Sequence, residues 1–500
     1  MRSTSPLAEP WRSAHSAWRG ARWAWARGTR ALRQIHPDFW RRLQQELKFG
    51  PHWADRAVLL GFAVLTGAVV VGFTLLAELA IEGFRALEGW GSAGRYLVLV
   101  WTPLLTVAVL WCTRRYAPAA AGSGIPQVMR ALDERLGQAQ RSALVSLRMS
   151  FQKIALVSGG LLAGLSIGRE GPTVQVGAGV MSAAQRWLSP RSGLDAHDLM
   201  VAGAAAGIAA AFNTPLGGIV FALEQLTRRR GLSHSTWVIA AIVLAGLVSV
   251  AVFGNETYFG RLRVQQMSWS LWWPGLLVAV CSGLAGGLFA RLIVVSARGL
   301  PDRFTSWRSR YPYRFAAACG LAVAIIGFVT GGATAGAGYL TTRQLLEGQS
   351  DLPGVYTLLK FCATWISAWS GVPAGVFAPS LAIGAGIGHD IAWVNGLTGD
   401  AAIPLIALGM VGFLAATTGG PITAFIIVME MVSGHAMVLS LMACALLASA
   451  FSRLITRSMY DELAMLLYPG AGAQEGAGAS SPPAPTQYLA SEDRPARAER

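Results

Sequence analysis

The chain contains 500 residues, of which 53% are hydrophobic and only 13% are charged. Soluble domains carry about 25% charged residues, so this composition cannot cover a water-exposed surface and excludes a soluble enzyme. The net charge of +15 is unevenly distributed, because residues 1–50 hold ten Lys and Arg residues against three acids. A basic segment ahead of the first apolar run favours a membrane surface over nucleic acid as its partner.

Apolar runs long enough to cross a hydrocarbon layer of about 30 Å occupy most of the chain after this segment. The first two are Ala57–Ala80 and Tyr96–Cys112, and the last is Met437–Phe451. Three intervening segments are interrupted by Gly, Pro and polar residues, namely Ser158–Gly179, Val372–Gly388 and Leu405–Met431. Broken helices at membrane depth occur where they line a cavity or are buried in protein, so these segments are predicted to hold the functional site.

The composition divides the chain into three parts. Residues 1–54 are basic and Trp-rich, without the apolar run and small-residue cleavage site of a signal peptide. Residues 55–465 form the predicted membrane domain, and residues 466–500, rich in Ala, Gly, Pro and Ser, are expected to be a disordered tail too short for a regulatory domain pair. Arg228–Arg230 indicate a cytoplasmic loop. We therefore expect a multi-pass protein of the cell membrane with both termini in the cytoplasm.

An internal repeat is the strongest organisational signal in the sequence. Residues of the same type recur after 206 or 207 positions, in the pairs Lys153 and Lys360, Gly164 and Gly371, Gly168 and Gly375, Pro172 and Pro379, Gly177 and Gly384, Pro215 and Pro421, and Glu224 and Glu430. We predict two homologous halves, about 55–235 and 265–460. If an odd number of crossings separates them, the halves lie inverted and their broken helices meet at the bilayer midplane.

Three Gly-rich turns precede segments with helical character, namely Gly122–Pro126 (GSGIP), Gly168–Pro172 (GREGP) and Gly375–Pro379 (GVFAP). Such turns leave backbone N–H groups unpaired at a helix N-terminus, where the macrodipole adds about half a positive charge. Several such termini directed at one place bind an anion without a full cation, and the binding stays weak enough for the ion to leave. The motifs therefore predict a small anion as the ligand.

These three motifs and the late Tyr460 together closely resemble the CLC family of chloride channels and chloride/proton exchangers, in its bacterial form without C-terminal CBS domains. The resemblance covers about residues 55–465. It implies an all-α polytopic membrane protein of two inverted repeats of tilted and broken transmembrane helices, with no enzymatic activity, no cofactor and no metal. It also implies a homodimer in the lipid bilayer with one pore per subunit, chloride as the transported ion and, in the exchangers, protons as well.

The resemblance assigns roles to individual residues. The hydroxyl groups of Ser123 and Tyr460 and the backbone N–H groups of Val376 and Phe377 would coordinate a central anion, and Ser at this position is associated with chloride, with bromide and nitrate also passing. Glu170 would be the gate, because its carboxylate mimics the anion and swings out when protonated. The supporting motif positions are Gly122, Gly124, Ile125, Pro126, Gly168, Arg169, Gly171, Pro172, Gly375 and Pro379.

One position departs from the family's exchangers, which carry two adjacent glutamates and use the second to pass protons from the cytoplasm to the gate. Here the pair is Glu224 and Gln225, and glutamine does not titrate. Anion passage is unaffected by this change. The mode stays open between a passive voltage- or pH-gated channel and an exchanger with a non-standard internal proton route, in which Glu224 would substitute.

Several of these residues have structural alternatives. Ser123 between two glycines is also suited to be a helix N-cap, and Glu170 has a neighbouring Arg169 with which it would form an ion pair. Lys153 and Lys360 either make the electrostatic potential at the site more favourable for anions, or they extend their ammonium groups to the membrane interface or to an acidic partner.

Other function classes have less support in the sequence. The five cysteines are scattered and form no CxxC pair, which excludes a disulfide or metal framework. No GxSxG or HExxH motif suggests an intramembrane hydrolase, and Gly384–Gly388 lacks the spacing of a dinucleotide site and fits helix packing better. Cation-coupled solute transport would require acids or carbonyl-rich breaks, whereas the GREGP and GVFAP turns offer donors.

Overall fold

The computed structural model describes residues 50–190, 192–227, 235–254, 258–259, 269–348 and 354–467. Most of the predicted N-terminal segment 1–54, most of the predicted tail 466–500 and the predicted loop Arg228–Arg230 lie outside these described residues. Within them the chain folds into α-helices joined by short turns, as the sequence predicts.

The helices of the first half are α1 (Gly50–Glu88), α2 (Gly91–Tyr116), α3 (Ile125–Ala131), α4 (Gln138–Leu144), α5 (Leu147–Leu162), α6 (Glu170–Ser182), α7 (Ala196–Phe212), α8 (Pro215–Phe221) and α9 (Ser235–Phe253). The helix α8 continues into a π-helical turn at Ala222–Leu226. The helices of the second half are α10 (Trp272–Arg298), α11 (Arg303–Arg310), α12 (Pro312–Val329), α13 (Tyr339–Leu346), α14 (Tyr356–Trp369), α15 (Phe377–Val394), α16 (Ile403–Thr418), α17 (Pro421–Met431), α18 (Val438–Arg453) and α19 (Met459–Leu467).

Among the described residues, 7 helical segments are long and apolar enough to cross a membrane, namely Trp53–Glu88, Gly91–Tyr116, Thr236–Phe253, Trp272–Arg298, Pro312–Val329, Gly399–Thr418 and His435–Arg453. Shorter apolar helices lie between them. The segment ending at Thr418 is 94% buried within the protein, so α16 contacts other helices rather than lipid.

The three segments predicted to be broken are interrupted in the structure. The helix α5 ends before Gly164, which has a φ of +79°, and α6 begins only at Glu170. The helix α16 ends at Gly419, with a φ of +72°, and Pro421 then begins α17. A residue with positive φ ends a helix and a proline at the first position begins the next one, so the breaks follow from residue type.

Small residues bring the broken helices into backbone contact in both halves. A Cβ added at Gly177 of α6 would collide with the carbonyl oxygen of Gly203 in α7, and the reverse also holds. Gly384 of α15 and Gly409 of α16 form the equivalent contact in the second half. This confirms helix packing as the reason for the Gly384–Gly388 stretch.

Two glutamates link the halves reciprocally. The Glu224 carboxylate accepts the N–H groups of Ile422 (3.1 Å) and Thr423 (2.7 Å) at the start of α17. The Glu430 carboxylate, 206 positions later, accepts the N–H groups of Leu216 (3.2 Å) and Gly217 (2.7 Å) at the start of α8. Each half therefore caps the proline-initiated helix of the other, because the first N–H groups of a helix have no partner within it.

The described residues fall into two compact units, of which the smaller comprises residues 50–57, 189, 190 and 192. Within the smaller unit, the Asp55 carboxylate accepts the backbone N–H (2.8 Å) and the hydroxyl (2.6 Å) of Ser189. The predicted functional residues all belong to the larger unit.

We expect Glu430→Ala to lower the free energy of unfolding by about 0.5–2 kcal/mol, the usual loss for removing a helix cap, and Glu224→Ala to do the same because its contact is equivalent. The midpoint of thermal unfolding in detergent measures both. Glu347→Ala is the control, since Glu347 is exposed and pairs only within one helix turn with Arg343 (2.8 Å). Midpoints for the two cap variants no lower than that of the control would contradict reciprocal capping.

Candidate functional site

The three Gly-rich motifs meet through backbone hydrogen bonds. The N–H of Gly168 donates to the carbonyl of Gly375 (2.7 Å), and the N–H of Gly375 donates back to Gly168 (3.2 Å). This antiparallel bridge joins equivalent positions of the two halves. The N–H of Ala374 donates to the carbonyl of Gly122 (3.2 Å), which adds the third motif. Loops distant in sequence thus form one cluster.

Glycine is required where these loops approach each other. A Cβ at Gly375 would collide with the carbonyl oxygen of Gly168, and a Cβ at Gly168 would collide with the Glu170 carboxylate. Gly124 has a φ of +104° and is the N-cap of α3, where the Gln127 side-chain carbonyl accepts its N–H (2.9 Å). Because Gly124 and Gln127 cap this helix, Ser123 is not its N-cap.

The two repeated lysines are fully buried and hold loop carbonyls. The ammonium group of Lys153 donates to Ala120 (2.6 Å) and Gly122 (2.7 Å), directly before Ser123. The ammonium group of Lys360 donates to the carbonyls of Thr334 (2.9 Å) and Gly336 (2.8 Å). Neither lysine extends to the interface, and in the described part of the chain neither forms an ion pair with an acid.

The four residues predicted to coordinate an anion are all buried, with 6% of Ser123, 3% of Val376, 2% of Phe377 and none of Tyr460 exposed. Val376 is the N-cap of α15 and Phe377 is its first residue, so their N–H groups are among those without a partner inside the helix. The Tyr460 hydroxyl lies near the Ser123 hydroxyl, and neither group has a hydrogen-bond partner among the described residues. The structure therefore brings donors from two loops and α19 close together.

Glu170 is the first residue of α6 and is completely buried. Neither carboxylate oxygen makes a hydrogen bond of normal geometry. The backbone N–H groups with which the carboxylate interacts are its own and those of Ala378 and Arg169. A carboxyl group thus lies against the N-termini of α6 and α15, where the helix dipoles favour its charged form.

Glu170 and Arg169 do not form an ion pair in the structure. The Arg169 guanidinium donates to the carbonyl of Thr74 (2.9 Å) and to the Glu78 carboxylate (3.1 Å), and approaches the hydroxyl of Tyr258 (3.5 Å). The partner of Arg169 is therefore an acid on α1, and the Glu170 carboxylate is left to the backbone donors.

Two cavities reach this cluster. The Glu170 cavity, about 450 Å³, is lined by Glu170, Arg169 and Tyr258 among others. The Ser123 cavity, about 220 Å³, is lined by Ser123, Gly122 and Val376 among others. Glu170 lines only the first and Ser123 only the second, so the buried cluster separates the two cavities.

Gln225 and Glu224 have different surroundings. Gln225 is buried with 4% exposure, its amide makes no hydrogen bond, and it lines a third cavity of about 830 Å³. The charged or titratable residues that line this cavity are Arg130, Asp133, Glu134, Arg135, His197, Arg457, Asp461 and Glu462. The Glu224 carboxylate, by contrast, is bonded to the start of α17.

A helical protein whose broken helices from two repeats meet around buried donors, with a cavity on each side, is a membrane transport protein. Residues 105–453 match the family model described as voltage gated chloride channel. Because this match covers more than half of the sequence, the chain belongs to the CLC family, whose members are channels and transporters and not enzymes.

Relatives agree with this membership. The chain is 29% identical to the H(+)/Cl(-) exchange transporter ClcA of Vibrio parahaemolyticus serotype O3:K6 (strain RIMD 2210633), over 72% of this chain and 77% of the relative. It is 30% identical to ClcA of Cronobacter sakazakii (strain ATCC BAA-894), over 74% and 80%. A slow cyanobacterial Cl-/H+ antiporter has a similar fold, with a TM-score of 0.69, 21% identity and coverage of 82% of this chain and 97% of that one. The predicted fold class is thereby confirmed.

The sequence motifs do not identify Glu78 or Tyr258 as partners of Arg169. A signal was present for Glu78, because an acid near the end of the apolar run Ala57–Ala80 is costly in lipid and requires a partner. Tyr258 follows the apolar α9 and carries no such signal.

We expect Gly375→Ala to lower the free energy of unfolding by about 1–3 kcal/mol, the usual cost of overpacking a close contact. The added Cβ would press on the Gly168 carbonyl and on Pro172. Gly327→Ala in α12 is the control, since a Cβ there meets nothing within 4 Å and alanine favours a helix. Thermal unfolding in detergent compares the two, and equal midpoints would disprove the tight contact.

Proposed function

We propose that this protein transports chloride through a pore gated by Glu170. The observation that carries the proposal is the completely buried Glu170 carboxylate, which lies against the N-termini of α6 and α15 between two cavities. A carboxylate in this position occupies a place suited to a small anion. When protonated it loses its attraction for the backbone donors and can move into the Glu170 cavity, which leaves the place to chloride.

The central anion is coordinated by the hydroxyl groups of Ser123 and Tyr460 and by the backbone N–H groups of Val376 and Phe377. These groups are buried and adjacent, and Ser123 and Val376 line the second cavity. All four donors are uncharged, so the ion is stabilised by partial charges and can leave again. The same donors also bind bromide and nitrate, which are small monovalent anions as well.

Chloride transport is coupled to protons in this proposal. The names of the similar ClcA proteins and of the cyanobacterial antiporter describe exchange of the two ions, which favours exchange over a passive channel here. Gln225 cannot accept a proton, and the Glu224 carboxylate is engaged at α17. Protons therefore reach Glu170 by a route that does not use position 225 as a carrier.

The proposal extends to assembly and placement. We infer a homodimer in the cell membrane, with one pore per subunit and both termini in the cytoplasm, and the Ser123 cavity opens to that side. The apolar Leu216 of α8 and Ile422 of α17 occupy equivalent repeat positions and are 54% and 48% exposed. A second copy would cover this surface next to the reciprocal glutamate caps.

In liposomes containing purified protein, a chloride gradient should drive proton movement in the opposite direction. Glu170→Gln should abolish this proton movement while chloride flux continues. The rate of that flux should no longer vary between about pH 3 and pH 6, the range in which an ordinary glutamate changes its charge. Chloride-selective and pH electrodes measure both ions. Glu347→Gln, a change at an exposed surface position, should behave as wild type. Unaltered pH dependence in Glu170→Gln would remove Glu170 from its role as the gate.

Removing the Ser123 hydroxyl should change anion preference. A hydrogen bond to a charged group is worth about 1.5–3 kcal/mol, so Ser123→Ala and Ser123→Pro should lower the flux of chloride relative to nitrate by up to the corresponding factor. Rates of efflux for the two anions from the same liposomes give the ratio. A ratio equal to that of the wild type in both variants would argue against a coordinating hydroxyl.

A further inference from the structure

The Ser123 cavity contains one charged side chain among the described residues that line it, and this is Arg308. The rest of the wall is apolar or uncharged, including Trp369, Leu463 and Gln127. A single cation in a low-dielectric wall produces a stronger potential inside a cavity than on an open surface, because few polar groups weaken it. The cavity that leads to Ser123 is therefore electropositive on account of one residue.

Arg308 is held in this position by the capped helix that carries it and by contacts with α10 and α12. The Asp302 carboxylate accepts the N–H of Thr305 (2.7 Å) and caps α11, and this bond lowers the pKa of the Asp302 carboxyl. One N–H of the Arg308 guanidinium donates to the carbonyl of Ser296 at the end of α10 (2.7 Å), and the group lies 5.8 Å from the centre of the Phe315 ring.

Aromatic contacts fix α11 against the rest of the protein. The ring of Phe304 lies 5.6 Å from that of Trp369, and the ring of Trp307 lies 6.4 Å from that of Phe315. Trp369 ends α14, directly before the loop that carries Val376. The position of Arg308 is thus tied to the segment that supplies the anion donors.

The charge of Arg308 is not cancelled locally. In the described part of the chain its guanidinium has no carboxylate within ion-pair distance, and Asp302, the acid with which it interacts electrostatically, is exposed and bonded to Thr305. Only one of the five N–H donors of a guanidinium is used at Ser296. Donors remain for an anion that enters the cavity.

We propose that Arg308 is an anion-capture site at the entrance of the Ser123 cavity, where it raises the local concentration of small anions before they reach the central donors. This inference rests on the proposed chloride transport. Arg308 is only partly buried, so water and salt screen it and the anion is not held tightly. The full cation therefore assists entry, while the uncharged donors at Ser123 and Tyr460 carry out selection.

The test measures initial chloride flux in liposomes over a range of chloride concentrations at constant low ionic strength. We expect Arg308→Gln to raise the half-saturating chloride concentration by about threefold to tenfold and to leave the saturated rate unchanged. Arg308→Lys should stay close to wild type because the charge is kept. Arg310→Gln is the matched control, since it removes the same charge from an exposed position of the same helix that does not line the cavity.

Three outcomes would overturn the inference. The first is a half-saturating chloride concentration for Arg308→Gln equal to that of Arg310→Gln. The second is a lower rate of Arg308→Gln at all chloride concentrations without a shift in half-saturation. The third is a half-saturating concentration of the wild type that does not rise when an impermeant salt is added. The last measurement needs no variant and decides the matter if Arg308→Gln does not fold. A wild-type protein without chloride flux would instead refute the proposed function.

Discussion

The pair of backbone hydrogen bonds between Gly168 and Gly375 is the contact on which the site depends. It joins equivalent positions of two halves that are far apart in sequence. Both positions lie directly before the first turns of α6 and α15. Only glycine permits the approach, because a side chain on either residue would collide with the other loop or with Glu170. Once the loops are joined, the N-termini of both helices necessarily lie side by side.

Charge is kept out of the centre and placed around it. Lys153 and Lys360 are bonded to loop carbonyls and Arg169 to Glu78, so each of these three buried cations has a structural partner. The proposed anion donors are hydroxyl and backbone N–H groups. This division suits a transported ion, because a desolvated full cation would bind it too strongly for release. Glu170 is the exception, and in the proposed function its carboxylate competes with the anion for the same donors.

The sequence predicts the broken segments, because turn residues such as Pro421 act through local backbone geometry, and it predicts the repeat from the spacing of equivalent residues. The all-α fold is what the family resemblance implies. The spacing of Lys153 and Lys360, and of Glu224 and Glu430, indicates that they are equivalent positions of the repeat. The spacing does not indicate what these side chains bind, because the carbonyls of Ala120 and Gly122 and the start of α17 are brought to them only by tertiary packing. Family resemblance indicates Ser123 and Tyr460 as functional residues. Their proximity, however, follows only from the fold, because tertiary packing brings α19 to the Ser123 loop.

Binding of the anion between Ser123, Tyr460 and the start of α15 is the central claim, and a crystal structure of the protein grown in bromide tests it directly. Bromide has an anomalous signal that locates it independently of the protein. We expect an anomalous peak within hydrogen-bonding distance of the Ser123 and Tyr460 hydroxyl groups and of the backbone N–H groups of Val376 and Phe377. Well-resolved bromide peaks elsewhere in the protein, with none at these four donors, would contradict it.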